Sequence, residues 1–149
     1  MRSPAVVENL IKNLKEAGLR VTPQRLAIYE SLVRSDAHPT ALALYVKLKC
    51  QLPSLSQATV YNTLQVLAAR GLIQEVGEVG DGAVRYDGNP APHANVVCTG
   101  CQDVKDVFDI SLDSITEQVR ARSGFDIQDL RITYYGLCLR CQSAQAVEA

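Results

Sequence analysis

The feature that most restricts the fold of this 149-residue chain is a pair of Cys-x-x-Cys motifs, Cys98/Cys101 and Cys138/Cys141, which hold four of its five cysteines. Four thiolates brought to one point suit a tetrahedral zinc ion, which has no redox chemistry and favours sulfur. The two pairs stand farther apart than in a compact zinc ribbon, so a helix and strands must fit inside the loop that the metal closes. Such a site is structural, and its binding energy stabilises a module too small to rely on its core alone. A redox dithiol and cysteines of unrelated role are the alternatives. Thioredoxin-like chemistry expects one such pair at a helix start, whereas both pairs here read as lying at strand-like ends. Cys50 sits in the helix-like stretch ALALYVKLKCQ, where a small buried residue is expected rather than a ligand.

Ahead of these motifs the pattern is helical. Leu10, Ile11, Leu14 and Ala17 recur at helical spacing and Gly18 supplies a stop. Thr22 and Pro23 open a second helix as N-cap and first residue, with Leu26, Tyr29, Leu32 and Val33 as its apolar stripe. A third carries Leu44, Tyr45 and Leu48. Ser56 caps a fourth, whose buried face is Val60, Leu64, Leu67 and Ala68 and whose stop is Gly71. LIQEVGE and AVRYD flank VGDG, which reads as a hairpin. Helices followed by a two-stranded wing outline a winged helix-turn-helix over residues 1–87.

GNPAP at 88–92 reads as a linker. Residues 93–149 then change pattern: NVVC and VKDVF are strand-like, SLDSITEQVRARSG helical with Leu112, Ile115 and Val119 on one face, and DLRITYYGLC strand-like again. The tail SAQAVEA is expected to fray. The expected class is α+β, an N-terminal winged helix followed by a small C-terminal α/β domain.

Charge divides along the same line. Residues 1–80 hold nine Lys/Arg and six Asp/Glu, residues 81–149 six and ten, although the whole chain is near neutral. A basic half ahead of an acidic one suits modules with different partners. Charges interrupt the apolar residues of the N-terminus, and no apolar run approaches a membrane span. A soluble, cytoplasmic protein is therefore expected. On the fourth helix Gln57, Ala58, Tyr61, Asn62 and Gln65 share the face opposite the apolar stripe, where polar and aromatic groups can reach base edges in the major groove. Arg20 and Arg25, around the start of the second helix, suit phosphate or minor-groove contacts. The positive charge is modest, so affinity for double-stranded DNA should rest on a dimer occupying the two half-sites of a pseudo-palindromic operator, and should weaken with salt.

The run GLRVTPQR, HPTA, ATVYNTLQVLAARGLI, VRYD, H-x-N-x-x-CxxC and CLRC resembles the ferric uptake regulator family along nearly the whole chain. The resemblance implies a homodimer with a winged helix for DNA, a C-terminal dimerisation domain, and a regulatory metal where the two halves meet. Carried across by position, the regulatory ligands are His38, Asp87, His93, Asn95 and Asp106. The structural zinc ligands are Cys98, Cys101, Cys138 and Cys141. Aspartate at both acidic positions resembles the peroxide-sensing PerR branch, in which ferrous iron reacts with hydrogen peroxide and a ligand histidine gains oxygen. His38 and His93 occupy the oxidation-sensitive positions. Asn95 departs from the pattern, because the family usually has a third histidine there. Two imidazoles plus oxygens suit Fe²⁺ or Mn²⁺. The implied function is a metal-dependent transcriptional repressor, not an enzyme, that senses hydrogen peroxide. The alternative is a regulator responding to iron or manganese availability without histidine oxidation.

Overall fold

The computed structural model of the chain describes residues 4–148. Four helices come first: α1 Pro4–Glu16, α2 Pro23–Val33, α3 Ala41–Lys49 and α4 Gln57–Ala69. Three of them begin where a hydroxyl can satisfy an otherwise orphaned N–H. Thr22 accepts from Arg25 N at 3.2 Å, Thr40 from Ala43 N at 3.1 Å and Ser56 from Thr59 N at 3.1 Å. The turn between α3 and α4 is clamped by Lys49, whose Nζ donates to the carbonyls of Pro53 (2.7 Å) and Leu55 (2.9 Å).

The hairpin follows as β1 Gln74–Glu78 and β2 Val84–Asp87, antiparallel, with a bulge between Glu75 and Gly77. Leu10, Leu14, Ile28, Tyr29, Leu32, Leu44, Leu48, Leu55, Val60, Leu64, Leu67 and Tyr86 belong to one buried cluster beneath these elements. Four helices and a β-wing over one core make a winged helix-turn-helix, with α3 and α4 as its central pair. On α2 the buried apolar residues are Ile28, Tyr29 and Leu32, while Val33 faces solvent. Cys50, expected inside, is exposed at the C-cap of α3. It falls off the stripe set by Leu44 and Leu48, so helical spacing turns it outward.

The second group of elements is β3 Ala94–Cys98, β4 Val104–Val107, α5 Leu112–Ser123, β5 Ile132–Gly136 and α6 Leu139–Glu148. The sheet order is β4-β3-β5, antiparallel to β4 and parallel to β5. The parallel pairing requires a crossover, which α5 supplies; Gly124, at φ 72°, ends that helix in the left-handed conformation. Two expectations fail here. The tail is helical to Glu148 rather than frayed, and Cys138/Cys141 straddles the start of α6 instead of ending a strand. Ala, Gln and Glu are good helix formers, and the cysteine pair organises the first turn they need, with Gln142 N donating to Cys138 O at 2.9 Å.

The chain divides into two compact units. One runs to Glu78 and includes Gly82–Pro90; the other contains Val79–Asp81 and continues from Ala91. No helix among the described residues is long and apolar enough to cross a membrane.

Candidate metal centres

The four cysteines of the motifs converge. Their sulfurs all lie within 4.8 Å of one another, and Cys101 Sγ is 3.9 Å from Cys138 Sγ. Four sulfurs at about 2.3 Å from a central zinc stand about 3.8 Å apart, so the spacing is that of a tetrahedral site and not of a disulfide. Strand β3 delivers Cys98, the turn after it Cys101, and the entry to α6 the other two.

The backbone is arranged to receive thiolates. Cys138 N and Cys101 N donate to Cys98 Sγ at 3.3 and 3.5 Å, and these bonds lower the Cys98 thiol to about 6. The Asp103 N–H, followed by the Arg140 guanidinium, lowers Cys101. Cys141 is pushed up to about 12, chiefly through its contacts with Cys138 and Cys98. Crowding of the four sulfurs opposes their joint ionisation, and a bound Zn²⁺ would offset it. Gly100 completes the turn, because a Cβ there would lie 2.9 Å from Cys141 Sγ. The donor set fits zinc, and the convergence of both pairs removes the basis for an isolated redox dithiol.

Within each unit, dispersed candidates lie close to one another. In the N-terminal unit Thr40 bridges Arg85 and Tyr86 N donates to Pro39 O at 3.0 Å. Continuing that antiparallel register sets His38 opposite Asp87. Their Nε2 and Oδ2 atoms are 3.7 Å apart and both residues are buried. Asn89 N donates to Asp87 Oδ1 at 2.8 Å and fixes the carboxylate. His38 has φ 47°, a left-handed conformation that costs a non-glycine residue about 1–3 kcal/mol and tends to mark functional positions. Gly88 lets the chain leave β2 against the end of α2: a Cβ would lie 2.6 Å from Val33 Cα and 2.8 Å from Leu32 O.

In the C-terminal unit His93, Asn95 and Asp106 come together. Asn95 pairs with Asp106 across β3 and β4, and His93 Nε2 is 3.5 Å from Asp106 Oδ1. His93 Nδ1 lies 2.7 Å from Ala91 O. A carbonyl only accepts, so Nδ1 carries a hydrogen and Nε2 is the nitrogen turned towards Asp106, the usual posture of a metal-binding imidazole. Phe108 packs on the ring at 5.0 Å between centroids. In both pairs the N···O separation is long for a hydrogen bond, yet near the roughly 3.0–3.4 Å between neighbouring ligands of one ion held at about 2.1 Å. Asn95 is buried and its Oδ1 has no hydrogen-bond partner. Sequence reasoning named these candidate ligands but missed what holds them in place: the Ala91 carbonyl, the Asn89 N–H, Phe108 and Gly88. The glycines of VRYDG and CTGC were the only visible signals.

On α4, Gln57, Tyr61 and Asn62 are exposed. Arg20 is also exposed, and its carbonyl accepts a 2.6 Å bond from Arg25 Nη1.

The sequence profile of the ferric uptake regulator family matches residues 16–135. The chain is 37% identical over 139 residues to the peroxide operon regulator of Bacillus subtilis (strain 168), covering 93% of this chain and 95% of that protein. It resembles the structure of PerR from Streptococcus pyogenes, described as a basis for peroxide sensing and gene regulation, with TM-score 0.53, 33% identity and coverage of 91% and 92%. The Helicobacter pylori ferric uptake regulator shares the fold, with TM-score 0.71, 19% identity and coverage of 93% and 92%. These relatives are regulators rather than enzymes, and the chain belongs to the ferric uptake regulator family.

Proposed function

We propose that this chain is a homodimeric, metal-dependent repressor that binds operator DNA and reports hydrogen peroxide through oxidation of a ligand histidine. The observation that carries the reading is the pair of buried histidines, each set against an aspartate at near-ligand distance, in a chain 37% identical to a peroxide operon regulator. His38 and Asp87, with His93, Asn95 and Asp106, would together hold one Fe²⁺ or Mn²⁺; two aspartates neutralise its charge. A metal held by ligands from both sequence halves would let its occupancy act on DNA affinity.

Ferrous iron held by these residues would activate hydrogen peroxide beside the rings, so that one peroxide oxygen passes to a ring carbon and the other leaves as water. The chain does the rest. The carbonyl of Ala91 and the ring of Phe108 hold His93 in one tautomer and pose, and the backbone register holds His38 against Asp87. A ring that gained an oxygen atom would be a poorer donor, and the weakened hold of His38 or His93 on the metal would undo the DNA-binding arrangement. Cys98, Cys101, Cys138 and Cys141 would keep a structural Zn²⁺ throughout. Residues 1–87 would bind DNA through Gln57, Tyr61 and Asn62, with Arg20 and Arg25 towards the backbone, and residues 93–149, beyond the 88–92 linker, would dimerise. Exposed Ile115, Val119, Tyr134 and Tyr135 support a second copy as the occupant of that surface.

The test is fluorescence anisotropy on an operator selected from random duplexes, with iron- and manganese-loaded protein compared. Peroxide should release the iron-loaded protein and spare the manganese-loaded one. If both forms ignore peroxide while binding tracks metal concentration, the chain is an availability sensor instead.

A further inference from the structure

We infer that Asn95 sets which metal the regulatory site accepts, by offering an amide oxygen where an imidazole would favour zinc. The inference rests on the regulatory site proposed above and deepens it. Three observations within the C-terminal unit carry it. First, β3 is the central strand, and Asn95 lies in register with Asp106 on β4 and Thr133 on β5. In-register residues share a sheet face, so three oxygen-bearing residues form a row across the sheet. Second, Asp106 at the end of that row is the residue whose carboxylate meets His93 Nε2. Third, Asn95 is 4% exposed and its Oδ1 is buried with no hydrogen-bond donor. A buried amide oxygen left without a partner is costly, and native proteins rarely tolerate one without a use. A cation on the His93–Asp106 side supplies the missing partner.

The chemical consequence is selectivity. With Asn95 bound through oxygen, His93, Asn95 and Asp106 would present one imidazole nitrogen and two oxygens. Nitrogen donors widen the advantage that Zn²⁺ and Cu²⁺ hold over Mn²⁺ and Fe²⁺, and oxygen donors narrow it. A peroxide sensor filled by zinc cannot respond, since zinc has no redox chemistry. Asn95 would thus guard the sensing site against the ion that fills the cysteine site a few residues along the same strand.

The experiment uses the full chain with its cysteine-bound zinc retained and the regulatory site emptied, titrated with Mn²⁺ and Zn²⁺ in competition with a chelating dye. Asn95→His should raise the Zn²⁺-over-Mn²⁺ preference about tenfold or more, and Asn95→Leu should weaken Mn²⁺ about tenfold or more. Asn95→Asp, nearly identical in size, should tighten Mn²⁺ and guards against a folding failure of the leucine variant. Wild-type affinities in the three variants, with binding abolished in His93→Ala, would overturn the role of Asn95 and leave the site standing. Unchanged binding in His93→Ala as well would remove the site itself.

Discussion

Gly88→Ala is a small substitution with a large consequence. The added Cβ would meet Val33 Cα at 2.6 Å, Leu32 O at 2.8 Å and Val33 N at 2.8 Å. Carbon atoms rest at about 3.5–4.0 Å, so the overlap with Val33 Cα is roughly 1 Å, and all three neighbours are backbone that cannot rotate aside. Overpacking of this kind costs about 1–3 kcal/mol, and the upper half of that range is expected. For a unit of this size the Tm of the helical part should fall roughly 4–8 °C per kcal/mol. The strain also reaches the site, because relief requires the segment after β2 to move, and Asp87 is the preceding residue. Its carboxylate is pinned by Asn89 N at 2.8 Å and faces His38 at 3.7 Å. Mn²⁺ affinity at the regulatory site should therefore fall with stability. Calorimetry and a metal titration measure the two effects. Gly136→Ala is the control, since a Cβ there meets nothing within 4 Å, and its change should stay within about 0.5 kcal/mol. An unaltered Tm and Mn²⁺ affinity in Gly88→Ala would refute the close-approach argument.

Cys101→Ser should release the structural zinc and cost several kcal/mol, unfolding the C-terminal unit, because metal binding there is folding free energy; zinc content and circular dichroism check it. Ser56→Ala removes the oxygen that caps α4 at Thr59 N and should cost about 1 kcal/mol, read as a shift in denaturant midpoint. Tyr61→Ala, exposed on α4, should weaken operator binding by about 1–3 kcal/mol and leave both metal affinities unchanged. Anisotropy with parallel metal titrations separates those effects.

The parts of this molecule that were legible in its sequence are those with local causes. Thr22 and Ser56 cap helices through bonds that span three residues, and the glycine-rich turn between β1 and β2 closes a hairpin. The cysteine pairs carry their own geometry. Long-range causes were hidden. Nothing near His38 in sequence indicates that Thr40 bridges Arg85 and so sets His38 opposite Asp87. The role of the Ala91 carbonyl depends on where the chain enters β3. On α5, Ile115 and Val119 share an apolar stripe that periodicity assigns to a core, yet both are exposed; a partner surface and a core stripe have the same period. The α6 helix was hidden because the strand-like reading of DLRITYYGLC runs on through Cys138, whereas β5 ends at Gly136.

The central claim is that a ligand histidine is the target of peroxide, and peptide mass spectrometry tests it most directly. Iron-loaded protein treated with mild peroxide should gain one oxygen atom on the peptide carrying His38 or His93, in step with loss of DNA binding, and the manganese-loaded protein should not. Unmodified histidine peptides from iron-loaded protein that still binds its operator after peroxide would contradict the account.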